Sequence, residues 1–141
     1  MAAPQKLFID SSFFLAFIDR ANQNHIKTVG IFDILEKNHY KLYTSMLVVI
    51  TTFGRLERDL GGVIAVEFLQ VMLESSISVL YPTKQEMVHA YRFFKNNSSS
   101  QISMLEVINS KLMDKTGINQ IATYDLWRNT MGTTISPLTL S

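Results

Sequence analysis

Four short stretches with strand chemistry recur along this chain, separated from one another by residues with helical patterning. They are Leu7–Ile9, Tyr40–Tyr43, Ile77–Tyr81 and Gln120–Tyr124. Each is too short for a helix, and turn or cap residues close it: Ser11-Ser12, Thr44-Ser45, Pro82 and Asp125. Helical periodicity fills the intervals, over Phe13–Ile18, Ile26–Lys37, Met46–Arg58, Val63–Leu73, Lys84 to about Phe94, and Ile102–Thr116. The tail from Gly132 to Leu138 adds a candidate fifth strand before Pro137. Strands separated by helices cannot pair as hairpins and must run parallel through right-handed crossovers. The expected fold class is therefore α/β: a parallel β-sheet of four to five strands flanked by helices on both faces.

Local punctuation agrees with this order. Ser11 or Ser12 can cap the first helix and Asn24 the second. Gly61-Gly62 breaks the central helical region. Thr83 and Glu86 have capping-box spacing, and Gly117 is placed as a C-cap. No internal repeat or boundary interrupts the pattern, so one domain over residues 1–141 is expected. The polar run Asn96–Ser100 reads as a loop.

Composition excludes several classes. Apolar residues make up 47% of the chain, enough for a packed core. No apolar run approaches the roughly 18–20 residues of a membrane span, and the N-terminus has no secretory pattern. A cytoplasmic protein without membrane contact is expected. With no cysteine, disulfides, thiolate zinc sites and cysteine nucleophiles are excluded. A net charge of +1 means that nucleic acid must be met by a local patch.

Two predicted strands end on carboxylates, Asp10 and Asp125. Glu106 lies in the first turns of the helix after the serine loop, inside an apolar stretch. The carboxyl ends of parallel strands share one rim, where ligands bind in open α/β sheets. Three acids meeting there make an oxygen cage suited to Mg²⁺ or Mn²⁺, ions that activate water and stabilise charge on a phosphodiester. A plainer reading stands beside it: Asp10 and Asp125 as caps or turn residues, and Glu106 as an ordinary helix residue. No GxGxxG, P-loop or nucleophile-elbow glycines follow any strand.

In order and spacing, these residues resemble the PIN domain across nearly the whole chain. Phe8-Ile9-Asp10-Ser11-Ser12 is similar to its opening strand and first catalytic Asp. Asp19 through His25 resembles its D-x-n-H segment, and Thr44–Val49 the stretch that leads into its second acid. Ser103-Met104-Leu105-Glu106 resembles S-x-x-D, with Glu for Asp. Ala122–Trp127 resembles T-x-D-x-x-F, with Trp127 as the aromatic, and Gly132 and Pro137 fit the G…P ending. The resemblance implies metal-dependent cleavage of RNA with Mg²⁺ or Mn²⁺, and Asp10, Glu106 and Asp125 as catalytic and metal-binding residues. Similarity to VapC toxins further implies a homodimer and a partner antitoxin.

One position departs from the pattern. The family's second acid falls at Thr51, and Glu57 lies six residues on, about 240° around a helix. Losing that charge weakens a metal cage. Two outcomes stay open: a weakened ribonuclease with Ser11 and Thr51 in supporting roles, or a non-catalytic domain that binds RNA or a protein. A receiver-like α/β fold is a third option, without a phosphoacceptor context. Arg55, Arg58 and Lys111 are candidate phosphate contacts, against a reading as solvated helix faces. His25, His39 and His89 lack ligand spacing. Phe13, Phe14 and Phe17, with Tyr91, Phe93 and Phe94, read as core or interface. Met46–Leu73 is a candidate dimer or antitoxin surface.

Overall fold

The computed structural model describes residues 3–127 and 135–138. Its strands are β1 (Lys6–Ile9), β2 (Lys41–Ser45), β3 (Ser78–Leu80), β4 (Gln120–Ala122) and β5 (Ser136–Pro137). All pair in parallel, in the order β3-β2-β1-β4-β5. The helices are α1 (Ser11–Ile18), α2 (His25–Lys37), α3 (Met46–Leu60), α4 (Gly62–Glu74), α5 (Lys84–Asn96) and α6 (Met104–Thr116). Six helices flank one sheet, the PIN-like α/β arrangement. None of the described helices is long and apolar enough to cross a membrane.

β1 occupies the centre because its side chains tolerate no water on either face. Leu7, Phe8 and Ile9 are all fully buried, as both-face coverage of a parallel sheet requires. Each contributes roughly 1.5–3 kcal/mol by burial. Phe8 stands opposite Tyr43 of β2 and Ile121 of β4, so the register aligns the ends of three strands. The main core gathers around this strand. A smaller cluster, Ala90 with Val107, Ile108 and Leu112, joins α5 to α6.

Helix boundaries shift by no more than two residues, for identifiable reasons. α1 starts at Ser11 because Asp10 is extended and its carbonyl accepts the Phe13 and Phe14 amides; Asp10, not a serine, holds the cap position. α6 starts at Met104 because Ser103 Oγ accepts the Glu106 amide at 3.1 Å. Asn24 precedes α2 but makes no side-chain cap bond. Instead His25 Nδ1 lies 2.9 Å from the Ala16 carbonyl and ties α2 to α1. Gly61, at φ 95°, allows the reversal that folds α4 back on α3. The capping box at Thr83 and Glu86 and the left-handed cap at Gly117 form as expected.

Some expected core aromatics lie outside. Tyr91 is 63% exposed and Phe17 is 42% exposed. Helical spacing marks a face without saying whether anything covers it. Gly132 lies outside the described residues. Pro137, expected just after the last strand, is part of β5 itself, held through Ser136 N–H to Asn119 O and Leu138 N–H to Ile121 O.

Candidate active site

Asp10 leaves β1 at its carboxyl end and is anchored there by its own amide, which donates to Ala122 O at 3.0 Å. Although it occupies the cap position of α1, its carboxylate makes no capping bond. It is used instead by the segment after β4. Thr123 Oγ1 donates to Asp10 Oδ2 at 2.8 Å and accepts the Asp125 amide at 3.0 Å. Since that proton is committed to Asp10, the 3.1 Å contact between Ser12 Oγ and Thr123 Oγ1 has Ser12 as donor. Ser12 Oγ in turn accepts the Tyr124 amide at 2.8 Å. Amide, serine, threonine and carboxylate thus form one directed chain, and a chain of donors that ends on a carboxylate favours its ionised form.

Tyr124 is fixed at its other end as well. Thr28 Oγ1 donates to Asn24 O at 2.7 Å, so the Tyr124 hydroxyl is the donor in its own 2.7 Å contact with Thr28. The Tyr124 ring stacks on Phe13 with centroids 5.5 Å apart. The turn that carries Asp125 is therefore clamped to both α1 and α2.

Four influences compete at Asp10. Burial is the largest and raises its carboxyl above the usual carboxylate range. The Thr123 hydroxyl and the adjacent Ser11 amide oppose that shift, while the charge of Asp125 adds to it. A buried carboxylate beside the charge of Asp125 is a natural seat for a cation.

The other predicted residues are placed less closely. Glu106 is half-buried in the first turn of α6. Among the described residues, no three acids or histidines stand close enough to hold one ion, so Glu106 does not complete a triad with Asp10 and Asp125. Thr51 is half-buried on α3. Its neighbour Thr52 is fully buried and donates to Ser11 Oγ at 3.0 Å. Ser45 Oγ donates to Asn109 Oδ1 at 2.7 Å in the interior, linking the start of α3 to α6. Arg55 lines a cleft of about 370 Å³ together with Ser12, Asp19, Asp59, Tyr124 and Asp125. Arg58 is paired with Asp59 at 2.9 Å on the surface. Lys111 lines a separate pocket between α5 and α6.

Thr123, Thr52 and Asn109 were not among the residues expected to support the site. A hydroxyl two residues before a rim carboxylate was the available sign for Thr123. Nothing local marks Thr52 or Asn109, whose partners are 41 and 64 residues away.

No family model matches the chain, and no curated protein matches it in sequence. Solved structures do match in shape. VapC20 of Mycobacterium tuberculosis, described as a toxin that cleaves the sarcin-ricin loop, superposes with a TM-score of 0.74 at 20% identity, over 84% of this chain and 89% of its own. VapBC2 of Rickettsia felis, bound to a promoter DNA fragment, gives 0.70 at 9% identity, over 96% and 100%. DNA-bound VapBC of Salmonella typhimurium gives 0.67 at 13% identity, over 95% and 97%. The fold is PIN-like. At these identities the likeness speaks for the PIN-like backbone alone, and the chemistry must be argued from the side chains.

Proposed function

We propose that this PIN-like chain is a metal-dependent endoribonuclease that cleaves RNA phosphodiester bonds. The observation that carries the reading is the joining of Asp10 and Asp125 through Thr123 beside an open cleft. The donor set fits Mg²⁺ or Mn²⁺, which bind through one or two carboxylates and leave positions for water and substrate phosphate. Asp10 and Asp125 would hold the ion, and Glu106 would act from α6 through water. Bound there, the cation supplies charge neutralisation on the phosphodiester and activation of water. The chain's own part is to keep Asp10 ionised and oriented through Thr123 and Ser12, with Ser11 held by Thr52. Arg55 supplies a phosphate contact in the cleft. The described cleavage activity of VapC20 supports the substrate class.

An antitoxin partner is proposed on the same footing, supported by the VapBC assemblies of like fold. Its seat is the apolar groove of about 740 Å³ lined by Phe14, Phe17, Phe32, Ile64, Phe68 and Val71. A homodimer would use the outward apolar residues of α3 and α4, among them Ile50, Val63 and Val66, which are well exposed.

A second reading is a PIN-like domain that binds RNA or protein without cleaving. It is favoured by Thr51 at the place of the second acid and by the lack of a three-acid group among the described residues. Mn²⁺ calorimetry on the chain and on Asp10→Asn, followed by an RNA cleavage assay, separates the two. Saturable binding lost in the variant, with Mn²⁺-dependent cleavage, upholds the nuclease. No binding up to millimolar metal removes it in favour of the second reading.

A further inference from the structure

α5 buries its one acid and turns its cations outward. Within Lys84–Asn96 the only carboxylate is Glu86, which is 1% exposed. It is held by Lys115 of α6 at 2.6 Å and by Thr83. Phe93 and Phe94, both half-buried, and the buried Ala90 share that inward side. At about 100° per residue, Tyr91, Lys84, Lys95, Val88, Arg92 and His89 fall within an arc of about 160° on the opposite side. Lys84, Arg92 and Lys95 are exposed, and Tyr91 is among the most exposed aromatics described. Lys111 approaches from α6 to line a pocket of about 400 Å³ with Lys84, His89 and Arg92. Among the described residues none of Lys84, Arg92 and Lys111 has an ion-pair partner.

We propose that this face of α5, with Lys111, is a docking surface for single-stranded RNA. The inference rests on the RNA reading above and adds a second contact region that shares no lining residue with the acidic cleft. Its chemistry is specific in two ways. Lys84 and Arg92 lie about 12 Å apart along the helix, so that a strand laid over it would meet cations at two separate phosphates. Tyr91 offers a ring face beside them, with Lys95 Nζ 6.0 Å from its centroid. Cations interleaved with one exposed aromatic match a strand of alternating phosphates and bases. The Glu86–Lys115 pair keeps an acid off this face and ties α5 to α6.

The test uses Asp10→Asn protein, so that the RNA stays intact, and a labelled unstructured oligouridine read by fluorescence anisotropy across a salt series. Adding Lys84→Gln, Arg92→Gln and Lys111→Gln together should weaken binding about tenfold or more and reduce the log–log salt slope by about two. Tyr91→Ala should weaken it about tenfold with the slope unchanged, and Tyr91→Phe should restore it. Thermal melts establish that each variant is folded. If Asp10→Asn protein binds and the triple variant binds equally well with the same slope, the docking surface is overturned while the RNA reading stands. If Asp10→Asn protein binds no RNA even at low salt, both fall.

Discussion

Thr123 Oγ1 sits 2.8 Å from Asp10 Oδ2 and donates its only proton there, while the Asp125 amide donates to Thr123 Oγ1 at 3.0 Å. One hydroxyl therefore ties the carboxylate of Asp10 to the backbone of Asp125, two residues far apart in sequence. Thr123→Val should lower Mn²⁺ affinity by about 10–100-fold, the usual cost of losing a group that orients a ligand. Thr123→Ser should recover most of it. Calorimetry on the two variants checks both expectations.

Asp10 should make the protein less stable at neutral pH than it could be. Its folded pKa is raised above the ordinary 3.8, chiefly by burial. The penalty is absent below the unfolded value, grows as pH rises through the folded value, and is complete above it. Asp10→Asn should therefore raise the melting temperature at pH 7 and leave it nearly unchanged at pH 3. Mn²⁺ at a hundred times its Kd should stabilise the unsubstituted chain by about 2.7 kcal/mol and leave Asp10→Asn unaffected. Scanning calorimetry at both pH values, with and without metal, measures these differences.

Glu86 behaves in the opposite sense. Burial pushes its carboxyl up, but Lys115, Thr83 and the backbone outweigh it and hold it down at about 2. The stabilisation is present above the unfolded value of 4.5 and is lost as pH falls towards 2. Lys115→Met should cost about 2 kcal/mol at pH 7, less than a fully buried pair because the lysine is half open to water. The cost should shrink at pH 3, where unfolding curves in urea are to be compared.

Thr51→Glu should strengthen Mn²⁺ binding and increase the cleavage rate, since it returns one negative charge to the place where the resemblance expects it. Thr52→Val is the contrasting change. It removes the donor to Ser11 and should cost about 1 kcal/mol of stability, with only a small effect on metal affinity. Calorimetric titration and denaturant unfolding of the pair distinguish a missing ligand from a missing support.

The alternation of strands and helices was legible because the sheet is parallel and its central strand is apolar on both faces; Leu7, Phe8 and Ile9 announce it directly. The rim position of Asp10 followed from the same run. What was not legible is who holds it. Asp10 looks like a helix cap in sequence, and only the folded contact with Thr123 shows that its carboxylate is spent elsewhere. Tyr91 illustrates the same limit. Its helical spacing is that of a core residue, and its exposure depends on Glu86 taking the inward side of α5. Thr52 and Asn109 bond across long sequence separations that no local pattern records.

β5 carries a further consequence. Ser136 and Leu138 point their N–H groups at β4, so the group that would face outward between them belongs to residue 137. That residue is Pro137, which has no N–H to offer. This margin of the sheet can accept one hydrogen bond but cannot donate any through β5, so it cannot recruit another strand by zipping. Self-association at this margin is closed to the backbone.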